Sequence, residues 1–161
     1  MFRRMRRHKQ QLDEDVCKEL LANERRGALG MHGEGGYPYV IPVNYLFDDS
    51  AGSPVIYFHS AVTGHKVDAL SADPKVCFTI WNKGDKDEAD GRFYYVDSVI
   101  CFGRASVVES RQELLDSARR FAMKYYENEE DVQVEMDKDL GRMILYRIDV
   151  EHMTSKHVHE Q

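Results

Sequence analysis

At 161 residues, with 42% hydrophobic and 31% charged side chains, the chain has the size and balance of one soluble domain able to bury its own core. A net charge of −6 argues against nucleic acid as the main partner, because phosphate backbones attract basic surfaces. The three cysteines, Cys17, Cys77 and Cys101, show no CxxC spacing, which argues against a disulfide framework or zinc knuckle and suits a cytoplasmic location.

The basic start MFRRMRRHKQQ runs straight into the acidic LDEDVCKELL, unlike a secretory signal. No segment approaches the roughly 18 continuous apolar residues of a membrane helix, so no membrane partner is expected. Residues 1–11 read as a basic arm, either solvated or reaching a partner subunit or ligand. Residues 12–26 predict a first helix. Asp13 can cap it, Glu14 and Asp15 suit its positive end, and Leu12, Val16 and Leu20 form one stripe. Gly27 would end it in a left-handed conformation.

A strand over 28–31, the turn HGEGG and a long strand over 37–47 come next. In the long strand Tyr37, Tyr39, Ile41, Val43, Tyr45 and Phe47 share one face. Pro38 and Pro42 on the other face remove two ladder donors, which predicts an edge or locally unpaired strand. A strand over 55–59 leads through a polar turn to a short helix over 64–71. Residues 75–81 alternate again, with Val76, Phe78 and Ile80 on one face. The run NKGDKDEADG reads as an exposed loop. A long strand over 94–108 follows, with Gly103 as a bulge or point of close approach.

Ser110 and Glu113 form a capping box before a second helix, whose stripe is Leu114, Ala118, Phe121, Ala122 and Tyr125. The acidic run ENEEDVQVEMDKD reads as a connection to a last strand over 143–150, and 152–161 as a polar tail. About six strands and two main helices, without βαβ alternation, predict one domain over 12–151. That domain is mainly β, a small antiparallel barrel with peripheral helices.

Chemistry concentrates in YFHSAVTGHK, residues 57–66. A strand end, a polar turn and a helix start bring together His59, Ser60, Thr63, Gly64, His65 and Lys66. Free N–H groups at a helix N-terminus, beside a lysine and hydroxyls, suit a phosphate. The plain alternative for Lys66 is a surface lysine. His59 is either a hydrogen-bonded core residue or, beside a redox ligand, a proton donor. Asn44 either closes a backbone gap or hydrogen-bonds a planar heterocycle. Trp81 and Tyr45 either pack or wall a flat ligand. GEGGYP lacks the GxGxxG order and a following helix, so it reads as a hairpin turn. His152, His157 and His159 crowd the polar end, where no closed metal shell is expected.

The blocks RRHKQQL, ALGMHGEGGYPYVIPVNYLF, VIYFHSAVTGHKVDALSADPKVCF and FYYVDSVICFGRASVV, in that order and spacing, resemble the nitroimidazole-resistance (Nim) proteins. These are pyridoxamine 5′-phosphate oxidase-like flavoproteins, and the likeness covers about residues 3–126. It implies a six-stranded antiparallel split β-barrel that binds FMN, and a homodimer with the flavin in clefts between two barrels. It places the flavin ring along Val40, Ile41, Pro42, Val43, Asn44 and Tyr45, with His59 and Ser60 near the ring or ribityl chain. It places the phosphate on Thr63, Gly64, His65 and Lys66, and brings Ser98 and Val99 close at the interface. His59 matches the histidine proposed to assist redox chemistry in the Nim branch.

The function implied is an FMN-dependent oxidoreductase, charged by NAD(P)H or another donor, that reduces small nitroaromatic acceptors. The alternative on the same fold is a flavin- or haem-binding carrier or sensor without turnover. Two departures stand out. The phosphate turn reads GHK where the oxidase branch carries a more basic SRK-like turn, which implies weaker FMN binding. No tryptophan or Arg-Pro-x-Arg-like tail follows the last strand, which argues against vitamin B6 oxidation.

Overall fold

The computed structural model describes residues 2–139 and 141–160. In chain order the elements are α1 (Glu14–Asn23), β1 (Arg26–His32), β2 (Pro38–Asn44), β3 (Leu46–Asp48), β4 (Val55–Ala61), α2 (His65–Ala72) and β5 (Lys75–Trp81). Then follow β6 (Asp85–Lys86), β7 (Tyr94–Val107), α3 (Arg111–Tyr125), α4 (Glu129–Asp139) and β8 (Met143–Glu160). The strands form one antiparallel sheet in the order β2-β1-β5-β7-β8-β4-β3, with β6 beside β7.

The two edge strands, β2 and β3, are separated only by Tyr45. The sheet therefore curls back on itself into a barrel split at that residue. Eight strands replace the six expected, for two local reasons. The run 37–47 breaks at Tyr45 so that β2 can pair with β1 and β3 with β4, and the polar loop after β5 contributes the two-residue β6.

Alternation fills the interior. Leu29 and Met31 of β1, Ile56 and Phe58 of β4, Val76, Phe78 and Ile80 of β5, Val99 and Cys101 of β7 and Ile148 of β8 form the main core. Each large side chain buried there contributes about 1.5–3 kcal/mol. A smaller cluster lies outside the barrel, where Val55, Tyr57 and Leu145 meet Leu46, Val108 and Phe121 of α3. Ser110 caps α3 by accepting from the Glu113 N–H, but the Glu113 carboxylate does not return the bond. It accepts instead from the Tyr57 hydroxyl at 3.0 Å and Arg147 at 2.7 Å, tying α3 to the sheet.

The split itself is held by one side chain. The Tyr125 hydroxyl accepts from the Tyr45 N–H at 2.8 Å, and its single proton is shared between the carbonyls of Tyr45 (2.8 Å) and Arg25 (2.5 Å). Tyr45 is fully buried, so no water can replace that acceptor. Tyr125→Phe is expected to cost about 1–3 kcal/mol, the penalty for a buried backbone group left unpaired. Urea denaturation of the variant checks it: an unchanged midpoint would show that the chain break needs no hydroxyl.

Several expectations change. The buried face of α1 is Cys17 and Leu21, one position round from the expected stripe, and Val16 is exposed. The helix stops at Glu24, whose extended backbone feeds β1, so Gly27 is not its terminator. Gly27 lies in β1, where a Cβ would stand 2.2 Å from the Phe78 ring. The acidic run after α3 is not a plain connection but contains α4.

Residues 152–160, expected as a tail, continue β8, an 18-residue strand that pairs with β7 as far back as Tyr94. Without that extension the first half of β7 would leave its ladder groups on one side unpaired. The basic arm lies along this ribbon: Leu12 N–H donates to Ser155 Oγ at 3.0 Å, and Phe2 stacks on His152 with centroids 4.6 Å apart. Gly103 does sit at a register shift in β7, as expected of a bulge.

Candidate functional site

The phase of β2 is set at its hairpin, where the Gly33 N–H donates to the Tyr37 carbonyl at 2.9 Å. Alternation from that pair directs the backbone groups of Tyr39, Ile41 and Val43 toward β1, and those of Val40, Pro42 and Asn44 toward the free edge. Pro38 and Pro42 thus occupy positions where β1 requires no donor, which is how an edge strand tolerates two prolines. The edge presents the N–H groups of Val40 and Asn44 and the carbonyls of Val40, Pro42 and Asn44. Of the residues expected along the ring, Val43 and Tyr45 are buried side chains, and Ile41 packs on the core. Tyr45 donates its own hydroxyl to the Leu21 carbonyl at 2.7 Å, and burial raises its pKa well above the ordinary phenol value.

The second part of the site is the start of α2. Gly64 has φ 127° and ψ 170°, a conformation that a side-chain-bearing residue rarely adopts, and no side chain caps the helix. The ladder opens with Asp68 N–H on the Gly64 carbonyl, so the N–H groups of His65, Lys66 and Val67 precede it. The His65 ring stacks on Tyr39 of β2 at 4.1 Å, fixing the helix start beside the edge strand. Lys66 is half-buried. Its ammonium donates to the His59 carbonyl at 3.3 Å and lies 5.7 Å from the Phe58 ring centre, and burial lowers its pKa. Thr63 is exposed, whereas Ser60 is buried in register with the inward residues of β4.

The third part is a cavity of about 260 Å³ outside the barrel, beneath α3 and α4. Asn44 and His59 both line it, together with Phe121, Tyr125 and Tyr126 and with Glu135 and Met136 of α4. His59 is exposed on the outer side of β4 and meets Phe121 edge-on at 5.3 Å. The structure therefore joins two residues that the sequence singles out separately. It adds Glu135 and Met136, which no motif marks.

The profile of the pyridoxamine 5′-phosphate oxidase family matches residues 13–157. The chain belongs to that family. Among solved structures, a candidate 5-nitroimidazole antibiotic resistance protein of Bacteroides thetaiotaomicron has TM-score 0.75 at 18% identity, over 92% of this chain and 87% of that one. A conserved hypothetical protein of Mycobacterium tuberculosis has TM-score 0.75 at 20% identity, over 95% and 89%. An FAD-binding protein of Mesorhizobium loti has TM-score 0.66 at 20% identity, over 92% and 96%. At these identities the likeness is one of fold. No curated protein matches the chain significantly.

On this oxidase-family barrel the outer face of β2, β1, β5 and β7 is largely apolar. One cross-strand row runs Val40, Gly30, Cys77 and Phe102, and the next Pro42, Ala28, Thr79 and Ile100. Val40, Trp81 and Ile100 are exposed there. Ser98 pairs with Trp81 at the end of this face. Val99 does not share the face: it is fully buried in the barrel, and its carbonyl accepts from Thr79 Oγ1 at 2.9 Å.

The late histidines are ordered within β8. His157 Nδ1 lies 2.6 Å from Asp97 and His159 Nε2 2.8 Å from Asp87, with both rings stacked on Tyr95. Among the described residues no group of three or more His, Cys, Asp or Glu is placed to hold a metal. The cysteines are free thiols, and burial pushes that of Cys101 up to about 12. No described helix is long and apolar enough to cross a membrane.

Proposed function

We propose that the protein binds FMN as a homodimer and reduces small nitroaromatic acceptors of the 5-nitroimidazole kind, with electrons from NAD(P)H or another donor. One observation carries the reading: the free edge of β2 and the uncapped start of α2 are locked side by side by the Tyr39–His65 stack. A strand edge with alternating N–H and carbonyl groups matches the rim of a flavin ring, which alternates acceptors and an N–H. An uncapped helix start matches one terminal phosphate. The residues present therefore fit FMN.

FMN would supply the hydride and electron chemistry. The chain's part is positioning and protons. The N–H groups of Val40 and Asn44 and the Pro42 carbonyl hold the ring rim. The first-turn N–H groups of α2 and the Thr63 hydroxyl hold the phosphate, and Lys66 contributes its charge on leaving the His59 carbonyl. His59 donates a proton to the acceptor. A second copy on the apolar face of β2, β1, β5 and β7 closes the cleft to water, with Ser98 and Trp81 at its rim.

Titration of the purified protein with FMN, read by flavin absorbance and fluorescence, tests the binding step. NAD(P)H oxidation with and without a 5-nitroimidazole tests the reaction. Absence of FMN binding at micromolar concentration removes the proposal. Lys66→Ala is expected to weaken FMN about 10- to 100-fold, the equivalent of ~1.5–3 kcal/mol for a charge-assisted hydrogen bond. Equal affinity in the variant would take the phosphate away from this helix.

A further inference from the structure

We infer that the cavity beneath α3 and α4 is a binding site for a single-ring aromatic cation. Its walls are the rings of Phe121, Tyr125 and Tyr126 and the thioethers of Met136 and Met143, a lining suited to a flat, polarisable guest. A cavity of ~150 Å³ holds benzene, so one of about 260 Å³ holds one ring with a short substituent.

Charge selects the guest. Three other acids of α4 are engaged, Glu129 with Arg119, Asp131 with Asn128, and Asp137 with Gln133, and Glu130 is exposed to solvent. Glu135 is the carboxylate that lines the cavity, it is half-buried, and it makes no hydrogen bond or ion pair among the described residues. A half-buried carboxylate without a partner, beside aromatic faces, attracts an amidinium, a benzylic ammonium or a protonated heterocycle through both the ion pair and the rings. Asn44, whose backbone lies on the proposed flavin edge, also lines the cavity. That the guest sits beside the flavin rests on the flavin reading; that the cavity binds it does not.

The test uses the full chain without flavin, with benzamidine and benzoate as probes of equal shape and opposite charge. Calorimetric titration and amide NMR shifts are expected to show benzamidine binding among residues of α3, α4 and the start of β8, with benzoate at least tenfold weaker. Glu135→Gln is expected to lower benzamidine affinity about tenfold or more and to remove the discrimination, with the melting temperature unchanged. Met136→Trp, which fills the cavity, is expected to block the probe. Equal binding of benzoate, undiminished affinity in Glu135→Gln, or shifts absent or located elsewhere would overturn the assignment. Adding FMN separates the two readings, because benzamidine binding with no FMN binding removes the flavin proposal and leaves this one standing.

Discussion

Gly103→Val in β7 is expected to lower the stability of the fold by about 3 kcal/mol or more. A Cβ at this position would stand 2.2 Å from the Asp149 carbonyl oxygen, 2.9 Å from Ile148 Cγ2 and 3.0 Å from the Asp149 carbonyl carbon. Two of these three are backbone atoms of β8, and they cannot rotate aside. Moving them means spreading the β7–β8 ladder at its bulge, with the buried Ile148 beside it. Overpacking a core side chain costs about 1–3 kcal/mol, and a clash with backbone lies at or above the top of that range. Against a typical domain stability of about 5–15 kcal/mol, that is a large fraction of the whole. Urea denaturation followed by circular dichroism gives the answer, and a midpoint within error of the parent would show that the ladder opens freely there.

His59→Ala is expected to keep the bound flavin and slow acceptor reduction by about 100-fold or more, the usual scale for a positioned general acid. The side chain lies outside the barrel core, so the stability cost should stay within about 1 kcal/mol. Rapid-mixing measurement of flavin reoxidation by a 5-nitroimidazole separates the roles. An unchanged rate would end the proton-donor assignment, and loss of the yellow colour would make His59 a binding residue instead.

Legibility in the sequence followed the strength of the local pattern. β5 alternates cleanly, and Lys75–Trp81 has the expected limits, with Val76, Phe78 and Ile80 inside. Two prolines at alternate positions foretell the free edge of β2, because their effect on a ladder is local. The second half of β8 carries no such signal. EHMTSKHVHE is mostly polar, and it is held in a strand by β7 rather than by its own composition. α4 escapes for a similar reason: its acids hide a short apolar face in which Val132 is buried.

The site divides the same way. Gly64 and His65 announce the α2 start. The meeting of Asn44 with His59 depends on where two distant strands pass each other, and Glu135 depends on a helix that the sequence does not advertise. Tyr45, which the sequence leaves open between packing and a ligand wall, is committed to the core by its bond to the Leu21 carbonyl.

The sheet order has a consequence for how the barrel is assembled. β8 stands between β7 and β4, so it alone joins the group β2-β1-β5-β7 to the pair β4-β3. It also follows every other strand in the chain. As the polypeptide leaves the ribosome, β7 and β4 each present an open flank until residues 143–160 have emerged, so the β4 edge stays unsatisfied for more than half of the synthesis and the β7 edge joins it for about the last third. The basic arm cannot settle earlier either, since its anchor, Ser155, belongs to the same late strand. Folding is therefore gated by the last strand, and a nascent chain stalled before it should be a better client for chaperones than the finished protein is.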